Sequence, residues 1–278
     1  MMIQRALTIA GSAARGGAGI QADLKTFQEY DVFGTSVITA IVASSEKTGT
    51  GIFPQTLEAI EAQLYTIDKD IGIDALKTGM LFTKEVISYV ADWIAKSNLT
   101  NIVVDPVMIG KMGSALLQED AMTAMKMELL PLATIITPNM PEASYLLGNM
   151  ELNSVEDLKV AAKKLRELGP KYVLVKGGRL VGPAIDVLYD GEQFYLLEAP
   201  RIDTVNTNGA GCTYSAAITA GLAKGLTVPE SVIEAKKFIT AAIRYSLSFK
   251  DGVGPTYHAA YGKFSEDDCT VTIVKTEK

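Results

Sequence analysis

The stretch VNTNGAGCTYSAAITAGLA, Val205–Ala223, runs a glycine-broken turn straight into a long apolar segment of helical pattern. Gly209 and Gly211 let a ligand approach the main chain. The first amides of the following helix face outward at the positive end of its dipole, with Cys212 among them. Two readings stand at this point. The turn is either an anion site with a thiol beside it, or an ordinary loop-to-helix junction capped by Asn208. The surrounding chain has to discriminate between them.

Outward from this stretch, apolar runs of strand length alternate with amphipathic segments of helix length, the pattern of an α/β fold with a parallel sheet. Strands are expected at 5–11, 36–43, 73–79, 101–107, 133–139 and 171–178, with a hairpin over 186–200 turning at Asp190-Gly191. Helices are expected at 20–30, 56–67, 84–95, 141–147 and 155–168, with two more beginning at Cys212 and Pro229. No linker rich in proline, glycine or serine divides the chain, so residues 1–278 are expected to form a single domain.

Of the 278 residues, 48% are hydrophobic, enough for a large core. The 26 basic and 32 acidic residues leave a net charge of −6, which disfavours a general nucleic-acid binder. Cys212 and Cys269 are too few and too far apart for a disulfide framework or a zinc motif. That pair fits a reducing cytoplasm. The N-terminal apolar segment is too short for a signal peptide, and no run approaches the roughly 20 apolar residues that span a bilayer. A cytoplasmic protein with no nucleic-acid or membrane partner is expected.

Ligands of such folds sit beyond the carboxyl ends of the strands. Polar and glycine-rich residues recur at those places: Gly11-Ser12, Lys77 to Met80, Asp105-Pro106, Thr137 to Asn139 and Lys176 to Gly178. Agreement among separate segments favours the active-site reading of the opening turn. Phosphoryl transfer needs cations and amides for the phosphates, carboxylates for magnesium, and a base near the acceptor hydroxyl. Lys176, closing the apolar run YVLV ahead of two glycines, suits the cation. Asn139 and Glu142, three apart at a helix entry, suit magnesium or, equally, a helix cap.

Seven segments together resemble the ribokinase superfamily, within it the vitamin-kinase branch of hydroxymethylpyrimidine kinases and Gram-positive-type pyridoxal kinases. They are TIAGSAARGGAGIQADLKTF (8–27), KTGML (77–81), VVDPVM (103–108), TPNMPEA (137–143), VKGG (175–178), DVLYDG (186–191) and NTNGAGCT (206–213). The resemblance implies a three-layer α/β/α fold with a central, mostly parallel sheet, ATP with Mg2+, a ring-borne hydroxymethyl acceptor, and a homodimer. It places Gly209, Ala210 and Gly211 in an anion hole and Cys212 at the catalytic position. Asn139, Glu142, Lys176, Gly177, Gly178, Asp186 and Gly211 fall at nucleotide or magnesium positions, with Asp105 a further magnesium candidate. Gly11, Asp23, Ser44, Met80 and Val107 fall around the acceptor. At a helix N-terminus the Cys212 thiol is expected to have a lowered pKa, and it could also add to the aldehyde of pyridoxal.

Departures from the branch pattern bear on the acceptor. Ala13, Ala14 and Arg15 stand where an aspartate and two serines are usual, and Arg15 is a candidate replacement phosphate contact. Ser44 replaces the glutamine of pyrimidine enzymes, Asn208 replaces a histidine, and Gly110 replaces the lid cysteine of some pyridoxal kinases. The tail VGPTYHAAYGKF (253–264) and the hairpin lean toward pyridoxal, pyridoxine and pyridoxamine. A hydroxymethylpyrimidine kinase or a bifunctional enzyme is the alternative, and a non-catalytic ligand-binding relative a further one. His258 reads as a packed structural residue, and 105–117, with Gly110 and Lys111, as a lid loop.

Overall fold

The computed structural model describes residues 3–47, 49–108, 119–250, 252–264 and 269–275. Its elements in chain order are β1 (Arg5–Ala13), α1 (Ile20–Glu29), β2 (Phe33–Ser45), β3 (Gly49–Pro54), α2 (Leu57–Asp70), β4 (Ala75–Thr78), α3 (Lys84–Lys96), β5 (Ile102–Val104) and α4 (Glu119–Ala124). There follow β6 (Ile135–Ile136), α5 (Met140–Leu146), α6 (Val155–Arg166), β7 (Tyr172–Val175), β8 (Ala184–Tyr189), β9 (Gln193–Ala199), α7 (Ala210–Ala223), α8 (Val228–Arg244), α9 (Ala260–Phe264) and β10 (Thr270–Lys275).

Among the described residues the strands make one sheet, ordered β10-β9-β8-β7-β6-β5-β4-β1-β2-β3. From β2 through β1, β4, β5 and β6 to β7 the pairing is parallel, while β3, β8, β9 and β10 join antiparallel. Period-2 alternation divides the central strands between two cores. Ile102 and Val104 belong to a core with α2, α3 and α6, whereas Val103 belongs to the other, with α7 and α8. Both faces of the sheet are therefore covered, which is why these strands read as continuous apolar runs.

Local chemistry sets where the helices begin. Thr56, Thr83, Ser154 and Thr227 each accept an amide hydrogen bond at the starts of α2, α3, α6 and α8. Helix α7 is buried at every residue from Thr213 to Ala223, so it is apolar all round rather than striped. Its small residues allow close neighbours: a Cβ at Gly221 would lie 2.9 Å from Ser231 Cβ on α8.

The mostly parallel sheet matches the expected fold class, and each expected helix and strand is present, though β5 and β6 are much shorter than the expected 101–107 and 133–139 and two strands are longer. Strands β1 and β2 run on through Ala13 and Ser45. Strands β3 and β10, helix α9 and the helical stretch from α4 through Leu132 lie outside those expectations. Strand β3, GTGIFP, carries two glycines and a proline and lacks clean alternation; it forms by pairing with the end of β2. No described helix is long and apolar enough to cross a membrane.

Phe27 is fully buried in the α7–α8 core and holds α1 against it. Phe27→Ala should cost about 3–5 kcal/mol, read as a lower urea midpoint with an unchanged m-value.

Candidate active site

The turn before α7 is built from sequence-distant glycines. Gly209 is the N-cap of α7 in the left-handed region, φ 77°, and a Cβ there would collide with the Gly17 carbonyl oxygen. The Gly19 amide donates to Cys212 Sγ at 3.4 Å. Asn208 is fixed from behind: its amide donates to the Gly254 carbonyl at 3.0 Å, and its carbonyl accepts from Thr256 at 3.3 Å. The tail thus buttresses the turn. Thr213 Oγ1 lies 3.2 Å from Thr256 Oγ1 and 3.1 Å from His258 Nε2, all three buried. Burial, with Lys25 adding to it, pushes the His258 imidazole down to about 4, so the ring is neutral at pH 7 and structural, as expected.

Lys176 closes β7 and points at the same turn. A Cβ at Gly211 would be 3.3 Å from its Nζ, and the ammonium pairs with Asp105 Oδ1 at 3.0 Å. Asp105, beyond β5, also accepts from Thr137 Oγ1 and Ser215 Oγ, each at 3.1 Å. Burial opposes its ionisation, but Lys176 and Lys77 with these hydrogen bonds hold the carboxyl below its ordinary range. Asn139 and Glu142 form a capping box at α5: the Glu142 amide donates to Asn139 Oδ1 at 2.9 Å and the Asn139 amide to Glu142 Oε2 at 2.8 Å. The capping alternative is therefore realised, and it delivers a buried carboxylate beside Lys176 and Asp105. Burial raises Glu142 to about 7, with Lys176 opposing and Asp105 adding to the rise.

Gly177, Gly178 and Asp186 lie along the next edge. Both Asp186 oxygens hold protein groups: Oδ1 accepts from the Gly177 amide at 2.9 Å, and Oδ2 from Lys236 Nζ at 2.7 Å. An open cleft of about 450 Å³ runs from Lys176, Ala210 and Gly211 past Gly178 to apolar walls that include Ile239 and Ile243.

Gly19, bonded to Cys212, also presses against the Gly11 carbonyl, and Gly11 is the first of the residues expected around the acceptor. Gly11 packs against Met80, whose carbonyl accepts from Thr39 Oγ1 at 2.7 Å. Asp23 is wholly buried, bonded to Lys77 Nζ at 2.9 and 3.0 Å and to Thr8 Oγ1 at 2.6 Å. Val107 sits half-buried in the turn after Asp105. Ser44 lies further along β2, opposite Thr50 in the β2–β3 ribbon. Arg15 is exposed, with Nη1 2.9 Å from where a Gly252 Cβ would lie. Gly110 and Lys111, and the proposed lid from residue 109 on, lie outside the described residues.

Burial pushes the Cys212 thiol up to about 11; Lys77 opposes this, while Asp23 and Asp105 add to it. The expected depression of its pKa is thereby corrected: the Gly19 N–H acts in the lowering direction, but desolvation wins. Lys77, Ser215 and Lys236 are partners of buried carboxylates that the sequence expectations do not include. Signals existed for two of these. Lys77 stands near the end of an apolar strand much as Lys176 follows one, and Lys236 falls four residues after Val232 on a buried helix face.

Residues 14–257 match the family of phosphomethylpyrimidine kinases. This chain belongs to that family. It is 50% identical over 264 residues to the pyridoxine kinase of Bacillus subtilis, covering 94% of this chain and 97% of the relative. It is 46% identical over 269 residues to the hydroxymethylpyrimidine/phosphomethylpyrimidine kinase of Haemophilus influenzae, covering 94% and 98%. The pyridoxal kinase from Staphylococcus aureus in complex with AMP-PCP and pyridoxal superposes with a TM-score of 0.91 at 42% identity, covering 99% of this chain and 100% of that one. The chain is thus a kinase, a phosphotransferase with an alcohol acceptor, on the ribokinase-like fold.

In a Cys269→Ser background, alkylation of Cys212 by iodoacetamide should be slow at pH 7 and keep climbing through pH 10, because only the thiolate reacts and burial disfavours it. A plateau by pH 8 would contradict the raised thiol.

Proposed function

We propose that this kinase transfers the terminal phosphoryl group of ATP to the hydroxymethyl group of pyridoxal, pyridoxine or pyridoxamine. The observation that carries the reading is the convergence of Lys176 and Asp105 on the Gly209–Gly211 turn, with Cys212 between that turn and the Gly11–Met80 side. The cleft supports ATP. Its walls are apolar at one end, and at the other a strand-end lysine meets the amides of a glycine turn, the donor set that holds phosphates. Glu142 and Asp105 are hard oxygen donors beside Lys176, which suits a water-rich Mg2+ held by one or two carboxylates and shared with phosphates. Bound there, the metal would neutralise phosphate charge.

The chain's own groups have distinct parts. Lys176 and the Gly209 and Gly211 amides hold and stabilise the transferred phosphoryl group, Ala210, whose amide donates to the Thr207 carbonyl at 3.2 Å, keeps the turn in shape, and Asn139, Gly177, Gly178 and Asp186 shape the nucleotide side. Gly11, Ser44, Met80 and Val107 surround the acceptor, Asp23 supports that side from beneath through its sealed pair with Lys77, and Cys212 faces the acceptor hydroxyl as the base. With a raised thiol, its thiolate fraction is small at neutral pH; a loose phosphoryl-transfer transition state asks mainly for position and charge stabilisation. Residues 1–278 act as one kinase domain, with 105–117 and its Gly110 and Lys111 as a lid.

Relatives named for pyridoxine and pyridoxal, and Ser44 in place of a glutamine, support the vitamin B6 acceptor. Hydroxymethylpyrimidine is the second reading, supported by relatives at 46% and 42% identity. A homodimer is the proposed assembly, supported by the exposed register partners Ile41 and Phe53 on the β2–β3 ribbon. The cytoplasm is the proposed setting, supported by a cysteine content too low for a disulfide framework.

Parallel steady-state assays with pyridoxal and hydroxymethylpyrimidine, at saturating ATP and magnesium, should give the higher kcat/KM with pyridoxal. A higher value for the pyrimidine would transfer the assignment to the second reading, and turnover of neither would refute both. Cys212→Ala should lower kcat by about 10²- to 10⁴-fold with nucleotide affinity retained; a wild-type kcat would remove the base role.

A further inference from the structure

Arg201 follows β9 by two residues and is bonded on three sides to the loop between β7 and β8. Its Nε donates to the Gly182 carbonyl at 2.6 Å, its Nη1 to the Gly178 carbonyl at 2.9 Å, and its Nη2 to the Leu180 carbonyl at 2.5 Å. Every nitrogen of the guanidinium is engaged. The planar fork presents donors in fixed directions, so three carbonyls at alternate positions can converge on one side chain.

The loop has few other restraints. Leu180 buries its side chain and donates its amide to the Gly177 carbonyl at 2.9 Å, while Val181 is fully exposed and Gly182 takes φ 92°. Yet its first residues are held tightly: the Lys176 amide donates to the Pro138 carbonyl at 2.9 Å, and Gly177 to Asp186. Gly178 and Arg179 line the same cleft as Lys176 and Gly211. The loop is therefore one wall of the cleft, rigid at its root and tied further out by Arg201.

The direction of the ties matters. In a trans peptide the C=O and the next residue's N–H point opposite ways. Carbonyls 178 and 180 turned onto Arg201 therefore turn the amides of Arg179 and Val181 away from it. The carbonyls' negative ends are occupied by a cation, instead of being free to face the phosphates.

We propose that Arg201 is a positioning residue for nucleotide binding: by gathering the carbonyls of Gly178, Leu180 and Gly182 it holds this wall in the orientation that accepts polyphosphate. The inference rests on the cleft being the nucleotide site. Arg201 itself lines the cleft, but with Nε, Nη1 and Nη2 each donated to a loop carbonyl it acts through the loop and leaves the acceptor side and the reacting atoms untouched.

The test compares wild type, Arg201→Ala and Arg201→Lys by calorimetric titration with ADP, steady-state kinetics, and amide hydrogen exchange of 178–182 without nucleotide. Arg201→Ala should raise the Kd for ADP and the KM for ATP roughly five- to tenfold, with kcat and the acceptor KM within about twofold of wild type. Exchange at 178–182 should quicken while the Tm holds. Arg201→Lys, which keeps the charge but loses the fork, should fall between the two. Unchanged ADP affinity in Arg201→Ala, or equal losses in kcat and acceptor KM, would overturn the inference alone. Failure of the wild type to bind ADP would overturn the cleft assignment and the inference with it, whatever the exchange data show.

Discussion

Position 209 admits no side chain: its backbone is left-handed and its Cβ would enter the carbonyl of Gly17. That contact presses two glycine-rich segments, 11–19 and 205–211, onto one another across almost two hundred residues of chain. Everything at the site follows from how closely they meet. The Gly19 amide reaches Cys212, α1 starts against α7, and Asp23 arrives beneath the same turn. The tail closes the arrangement through the Asn208–Pro255 bridge and the buried Thr213, Thr256 and His258. The bland alternative for the opening turn, a simple capped junction, fails here, because Asn208 spends its backbone on the tail and offers α7 no side-chain cap.

Around this contact the fold buries charges in pairs. Lys77 with Asp23 is sealed completely, Lys176 with Asp105 nearly so, and Lys236 with Asp186 ties α8 to β8. Leaving one partner of such a pair alone typically costs about 3–5 kcal/mol, so the pairs fix geometry more than they add stability. They also set the chemistry. Lys176, largely buried, stays charged because Asp105 and Glu142 face it, and Cys212 stays a thiol because desolvation and two carboxylates outweigh one lysine.

Much of this was legible in the sequence, for a physical reason. Strands buried on both faces show as unbroken apolar runs, and polar residues at their carboxyl ends have to serve something; Lys176, Thr137 and Asp105 were found that way. Capping chemistry is local, so Asn139 and Glu142 could be placed at a helix start, though only the fold shows that the cap also sets a carboxylate beside Lys176. What escaped depends on packing between distant segments. Strand β3 exists because β2 offers an edge, Asp23 meets Lys77 across 54 positions, and the Cys212 pKa turns on burial that a helix N-terminus alone does not report. Arg201, an exposed arginine after a proline, carries no sequence signal at all.

The central claim is that the Gly209 turn is where the transferred phosphoryl group is held. It is tested most directly by the single-turnover phosphorylation rate of Gly209→Ala, measured on protein that still unfolds cooperatively. If the turn stabilises the transferred group, the rate should fall by roughly a hundredfold or more, since the added methyl group forces the first amides of α7 away from Gly17 and Lys176. A rate within about twofold of wild type would contradict it.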